Sequence, residues 1–148
     1  MANNYTEFSE ILTVDDGDVE WLKKRIANFE DPPGEQEIDR EDYLKVADKY
    51  GVEYDQSLSF NVEFKEGEAW FYTDESGDPW HVANLVQELF VARRPEDSFH
   101  ISWAATSSKP KVGEFGGGAI FVTADDIDFV DSWHFLDDKM KAWREKVE

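Results

Sequence analysis

Between Leu58 and Lys65 the side chains alternate: Leu58, Phe60, Val62 and Phe64 are apolar, while Ser59, Asn61, Glu63 and Lys65 are polar. A period of two belongs to an extended strand, whose successive side chains point to opposite faces. A helix would scatter the same residues around its circumference. Because one face is dry and the other wet, the strand fits an antiparallel sheet covered on one side better than a parallel sheet buried on both. Glu66–Gly67 then supplies a turn, and the run EAWFYTD is the expected hairpin partner.

The remaining pattern fits around that hairpin. A strand is expected at Phe8 to Val14. Asp15, Asp16 and Asp18 follow as helix-start acids, with Val19, Leu22, Ile26 and Phe29 at helical spacing. Pro32, Pro33 and Gly34 break the chain into a loop, and Asp39 can cap a second helix carrying Tyr43, Val46, Ala47 and Tyr50. Asp78 before Pro79 predicts a capped helix with proline at its first position. Val82, Leu85, Val86, Leu89 and Phe90 give that helix an apolar stripe, and Arg93 and Arg94 end it. SFHISWAA and GAIFVTA read as strands, with DIDFVD as a continuation or short partner. Ser132 is the expected cap of a last helix bearing Trp133, Leu136, Met140 and Trp143.

Paired strands interrupted by helices predict one α+β domain over residues 1–148. Its sheet is antiparallel or mixed, of about five strands, with helices mainly on one face. Eleven Phe and six Trp in 148 residues can supply the core without disulfides, and there is no Cys to form any. The opening MANNYTEFSE lacks a basic stretch followed by an apolar run, so no signal peptide is expected, and no apolar stretch approaches the ~20 residues of a membrane span. A cytoplasmic location follows from this reading.

Charge is the extreme property. There are 34 acids against 15 Lys and Arg, a formal net of -19. Small domains typically need a net charge of only about 2–8 for solubility. A field of this sign repels nucleic acid and anionic membranes and attracts basic partners. The surplus is uneven, at -10 over residues 1–57, -6 over 58–100 and -3 over 101–148. It is densest at Asp15, Asp16, Asp18, Glu30, Asp31, Glu35, Glu37 and Asp39, which form the expected partner-binding set.

No motif assembles a catalytic centre. Gly116, Gly117 and Gly118, with Lys109 and Lys111 upstream, invite comparison with a phosphate loop. Such a loop must open a helix, and its last glycine is followed by Lys-Ser/Thr. Here Ala119 and Ile120 follow and a strand begins, so backbone freedom in a tight turn is the expected use of the glycines. Asp74, Ser76 and Asp78 start a calcium-loop spacing that fails at Pro79 and Leu85. His81, His100 and His134 have no metal-ligand spacing. No metal or cofactor is expected, and an enzyme is the less favoured class. The alternative is a small anionic ligand held by the Gly113–Gly118 loop with Lys109, Lys111 and His81 or His100.

The segments DESGDPWHVANLVQELF and SWAATSSKPKVGEFGGGAIFVTADD resemble a group of small phage and bacterial proteins with no assigned activity, a likeness covering roughly Phe60 to Trp143. The resemblance implies a phage or mobile-element origin and, with it, action in a host cytoplasm. Taken with the charge, the expectation is a non-enzymatic acidic protein that binds and inhibits a basic, nucleic-acid-binding host protein, as a nucleic-acid mimic or anti-defence factor.

Overall fold

The computed structural model describes residues 4–30 and 58–147. In chain order the elements are β1 (Asn4–Thr13), α1 (Asp16–Glu30), β2 (Asn61–Lys65), β3 (Glu68–Tyr72), α2 (Pro79–Arg93), β4 (Ser98–Ser107), β5 (Gly116–Thr123), β6 (Ile127–Asp131) and α3 (Ser132–Val147). The helix expected after Asp39 lies outside the described residues.

The strands form one six-stranded sheet in the order β2-β3-β1-β4-β5-β6, antiparallel at every pairing. The class is α+β. β1 sits inside the sheet, registered with β4 over Asn4–Phe8 and with β3 over Ser9–Thr13. Both neighbours lie far along the chain. The β2–β3 hairpin turns through Gly67 at φ +75, a conformation that glycine adopts without a Cβ penalty.

Alternation sorts the side chains. Phe8, Leu12, Ala69, Phe71, Phe99, Ile101, Ile120 and Val122 point to one face and are buried. Leu22 and Phe29 of α1 and Val82, Leu85, Val86, Leu89 and Phe90 of α2 close over them. Phe71 lies at the centre, edge-on to Phe60 at 5.6 Å and to Phe99 at 6.4 Å. Burying each large apolar side chain contributes roughly 1.5–3 kcal/mol over leaving it exposed. On the opposite face, Trp70 stacks on Tyr72 at 4.0 Å, while Ile11, Phe121 and Val130 stay about half exposed.

α2 is packed between the sheet and α1, which explains why nine of its fifteen residues are buried. Its start is as expected: Asp78 accepts from Trp80 N–H at 2.9 Å, with Pro79 at the first helical position. α3 differs. None of its residues is buried, and it meets the sheet along β5 and β6 and, through Trp133, at Trp103 of β4. Asp131, not Ser132, caps it, because the Asp131 carboxylate accepts from His134 N–H at 2.7 Å. Among the described residues no helix is long and apolar enough to cross a membrane.

Candidate interaction surface

Antiparallel pairing brings four connections to one end of the sheet. Thr13 pairs with Glu68 across β1 and β3, and Ser98 pairs with Thr123 across β4 and β5. The β1–α1 junction, the β2–β3 hairpin, the α2–β4 connection and the β5–β6 turn therefore lie side by side. Two short bonds lock the middle of the row: Val14 N–H donates to Gly67 O at 2.9 Å, and Arg94 Nη1 donates to Thr13 O at 2.7 Å.

Each connection carries a pair of exposed acids: Asp15 and Asp16, Glu66 and Glu68, Glu96 and Asp97, Asp125 and Asp126. With strands spaced ~4.8 Å apart, the eight carboxylates cross about 19 Å; Asp15 pairs with Arg93 and Asp97 with Arg94, so the other six leave about one charge per 3 Å. Duplex DNA carries one charge per ~1.7 Å of axis. At the α1 start Asp15 bonds the local backbone, whereas at the β5–β6 turn Thr123 does so, its Oγ1 accepting from Asp125 and Asp126 N–H. The alignment of the acids is a product of strand order.

Not every acid at this end faces outward. Asp15 and Asp18 bond each other's backbone, Asp18 N–H to Asp15 at 2.7 Å and Asp15 N–H to Asp18 at 3.1 Å, a reciprocal cap on α1. The Asp18 carboxylate is then closed in by Arg93 Nε at 2.8 Å and Arg94 Nη1 at 3.3 Å, and the residue is 2% exposed. It belongs to the interior of the molecule and offers nothing to a partner. Asp15 remains exposed, and its carboxyl is held below the usual range by the Asp18 N–H and by nearby Arg93. Asp16 is exposed in the first turn. Glu30 ends α1, and Asp31, Glu35, Glu37 and Asp39 lie outside the described residues.

The glycine segment is arranged differently from the sequence expectation. Gly116, Gly117 and Gly118 are not a turn; they form the start of β5, opposite Ala105, Ala104 and Trp103 of β4. Gly118 also faces Asp131 of β6. Their shared property is close approach. A Cβ on Gly118 would lie 2.5 Å from Val130 O and 2.7 Å from the Trp103 ring, and one on Gly116 would meet Ser132 and Trp133. The space left by the missing side chains admits Trp103 and Trp133, stacked at 6.0 Å and 15°. The turn itself is made at Gly113, φ +81. Paired with β4 throughout, and with β6 at Gly118, these glycines are part of a strand and not an open anion cradle.

The other members of that alternative do not converge. Lys109 and Lys111 are exposed in the β4–β5 connection. His100 is at the far end of β4 on the opposite sheet face, separated from Ser107 by about 23 Å of strand. It borders an open groove of about 380 Å³ with Ser102, Phe121, Asp128 and Val130. His81 is buried at the start of α2, where Nδ1 accepts from Ser59 N–H at 2.8 Å and Nε2 lies 3.4 Å from Asp78. Burial pushes its pKa down against the pull of Asp78. His134 bonds Asp131 at 2.6 Å. His100 lies 4.0 Å from Glu10, the other two have bonded partners, and no two histidines share a site.

No protein family, curated protein or solved structure matches this chain.

Of the eight acids in this row the sequence expectation named Asp15 and Asp16, and did not name Glu66, Glu68, Glu96, Asp97, Asp125 or Asp126. The available signal was that acids recur in pairs at successive turns. Turning that into a surface required the strand order.

Proposed function

We propose that this chain is a non-enzymatic protein that docks the acidic end of its sheet on a basic, nucleic-acid-binding protein. The observation that carries the reading is the row of eight exposed carboxylates on four adjacent turns, of which Asp15 pairs with Arg93 and Asp97 with Arg94. A basic groove shaped for phosphates meets a comparable charge density on this rim, and complementary charge speeds encounter. Occupying that groove excludes nucleic acid. Inhibition of a host nucleic-acid enzyme, of the anti-defence kind, is the form that a phage origin favours.

The test is displacement of labelled duplex DNA from a panel of purified basic DNA-binding proteins. The native chain should displace DNA from at least one member, with an effect that falls steeply between 50 and 300 mM salt. A variant with Glu66, Glu68, Glu96, Asp97, Asp125 and Asp126 changed to their amides should not. Equal displacement by that variant, or none by the native chain, overturns the reading.

A further inference from the structure

Past its first turn, α3 leaves the body of the protein. The start is anchored: Trp133 stacks on Trp103, and its Nε1 donates to Gly113 O at 3.2 Å. Beyond it, Leu136, Met140, Trp143 and Val147 are between 53% and 61% exposed. They are spaced four, three and four residues apart, which puts them on a strip about 60° wide at ~100° per residue. This is the seam spacing of paired helices.

Charge selects what covers the strip. The whole chain is at -19, yet α3 sets Lys139, Lys141, Arg144 and Lys146 against Asp137, Asp138 and Glu145, for +1. Two copies of α3 can therefore meet without the repulsion that opposes contact between the acidic ends. Run antiparallel, with Met140 against Trp143 and Leu136 against Val147, they use the four free seam residues and leave Trp133 with its own Trp103. One flank then sets Asp137 beside Arg144 of the partner subunit, twice by symmetry. The other flank gathers Lys139 and Lys146, which lie 5.6 and 5.9 Å over Phe135 and Trp143. Their stems can carry the charges outward to water. A parallel pair would set Lys139 against Arg144 on both flanks, and an antiparallel slip of one heptad would set Asp137 against itself.

We propose that the chain forms an antiparallel homodimer through the Leu136, Met140, Trp143 and Val147 strip of α3, with its register fixed by Asp137 and Arg144. The seam is only ~17 Å long, below the ~800 Å² per partner of a standard interface, so dimerisation is expected to depend on concentration in the micromolar range.

Sedimentation equilibrium of the full chain from 5 to 500 µM tests this, with far-UV circular dichroism to confirm folding. The native chain should pass from monomer to dimer. Trp143→Glu should stay monomeric with unchanged circular dichroism. Asp137→Arg and Arg144→Asp should each weaken the dimer about tenfold, and the double exchange should restore it. A native monomer at 500 µM overturns the proposal, as does a dimer indifferent to Trp143→Glu. Failure of the double exchange to restore the dimer overturns the register. Binding of a still-monomeric chain to phosphatidylserine vesicles would reassign the strip to a lipid surface.

Discussion

Arg93 and Asp18 meet at 2.8 Å across the junction of α2 and α1, with the Asp18 side chain 3% exposed and the Arg93 side chain 37% exposed. The pair joins two helices that the hydrophobic core alone holds only through their apolar faces. Removing the carboxylate takes from Arg93 and Arg94 their shared buried partner, leaving Asp15 to the first and Asp97 and Thr13 O to the second, and removes one half of the α1 cap. Asp18→Ala should cost about 2–4 kcal/mol, less than for a fully buried pair because the arginines keep some water. The neighbouring Asp16→Ala should stay within ~0.5 kcal/mol. Urea denaturation of the two variants checks the contrast.

Acid should unfold the protein in two separable stages. His81 has a folded pKa below its unfolded value because burial disfavours the imidazolium. The unfolded chain thus takes up the proton first, so the associated stability is present above about pH 6.5 and is lost as pH falls toward the folded pKa. Asp15 and Asp131 are also depressed, chiefly by the backbone N–H groups of Asp18 and His134. Their contribution is present above the unfolded carboxyl pKa near 4 and is lost as pH drops through the folded value. Melting temperature measured from pH 8 to pH 2 should decline first as pH falls below about 6.5, then again below about 4. His81→Leu should flatten only the first decline, and Asp131→Asn should reduce the second.

Gly118→Ala should be more damaging than Gly113→Ala. At Gly118 the new methyl would meet the Val130 carbonyl and the Trp103 ring, whereas at Gly113 it meets nothing within 4 Å and costs only the strain of positive φ. About 2–3 kcal/mol is expected for the first, as for overpacking, and about 1 kcal/mol for the second. Near-UV circular dichroism adds a specific readout. The near-UV signal of the packed Trp103–Trp133 pair should be lost in Gly118→Ala and kept in Gly113→Ala.

Neutralising the acidic end should stabilise the fold while removing the charge proposed for docking. Like charges aligned over about 19 Å repel each other, and salt relieves that repulsion. A five-amide variant that keeps Asp97, the partner of Arg94, should melt several degrees higher than the native chain at 20 mM salt. At 500 mM salt the two should converge. Equal melting temperatures at low salt would show that the row is not electrostatically strained.

Local chemistry made much of this legible from the residues. Asp78 before Pro79 marks a helix start in any context, and the five apolar residues after it occupy the buried face. The Leu58–Lys65 alternation identified the hairpin but placed its start early. The backbone of Ser59 is bonded to His81 Nδ1 and Asp78 N–H, so pairing begins only at Asn61. β1 begins earlier than expected, because the polar Asn4–Glu7 stretch becomes a strand by pairing with Ala104–Ser107. Three glycines suggested a turn because their usual merit is positive φ. Here their merit is the lack of a Cβ beneath two indoles, which depends on Trp133, fifteen residues past Gly118. The acidic end is of the same kind: each pair was visible at its turn, and the row exists only once the sheet is ordered.

The position of β1 bears on how the molecule is made. This strand leaves the ribosome well before either of the neighbours that flank it, and it has no lasting place until β3 and β4 emerge tens of residues later. Closure over such long separations slows assembly and leaves unfinished strand edges available to wrong pairings meanwhile. During synthesis, the earliest described strand waits for the sheet to be built around it.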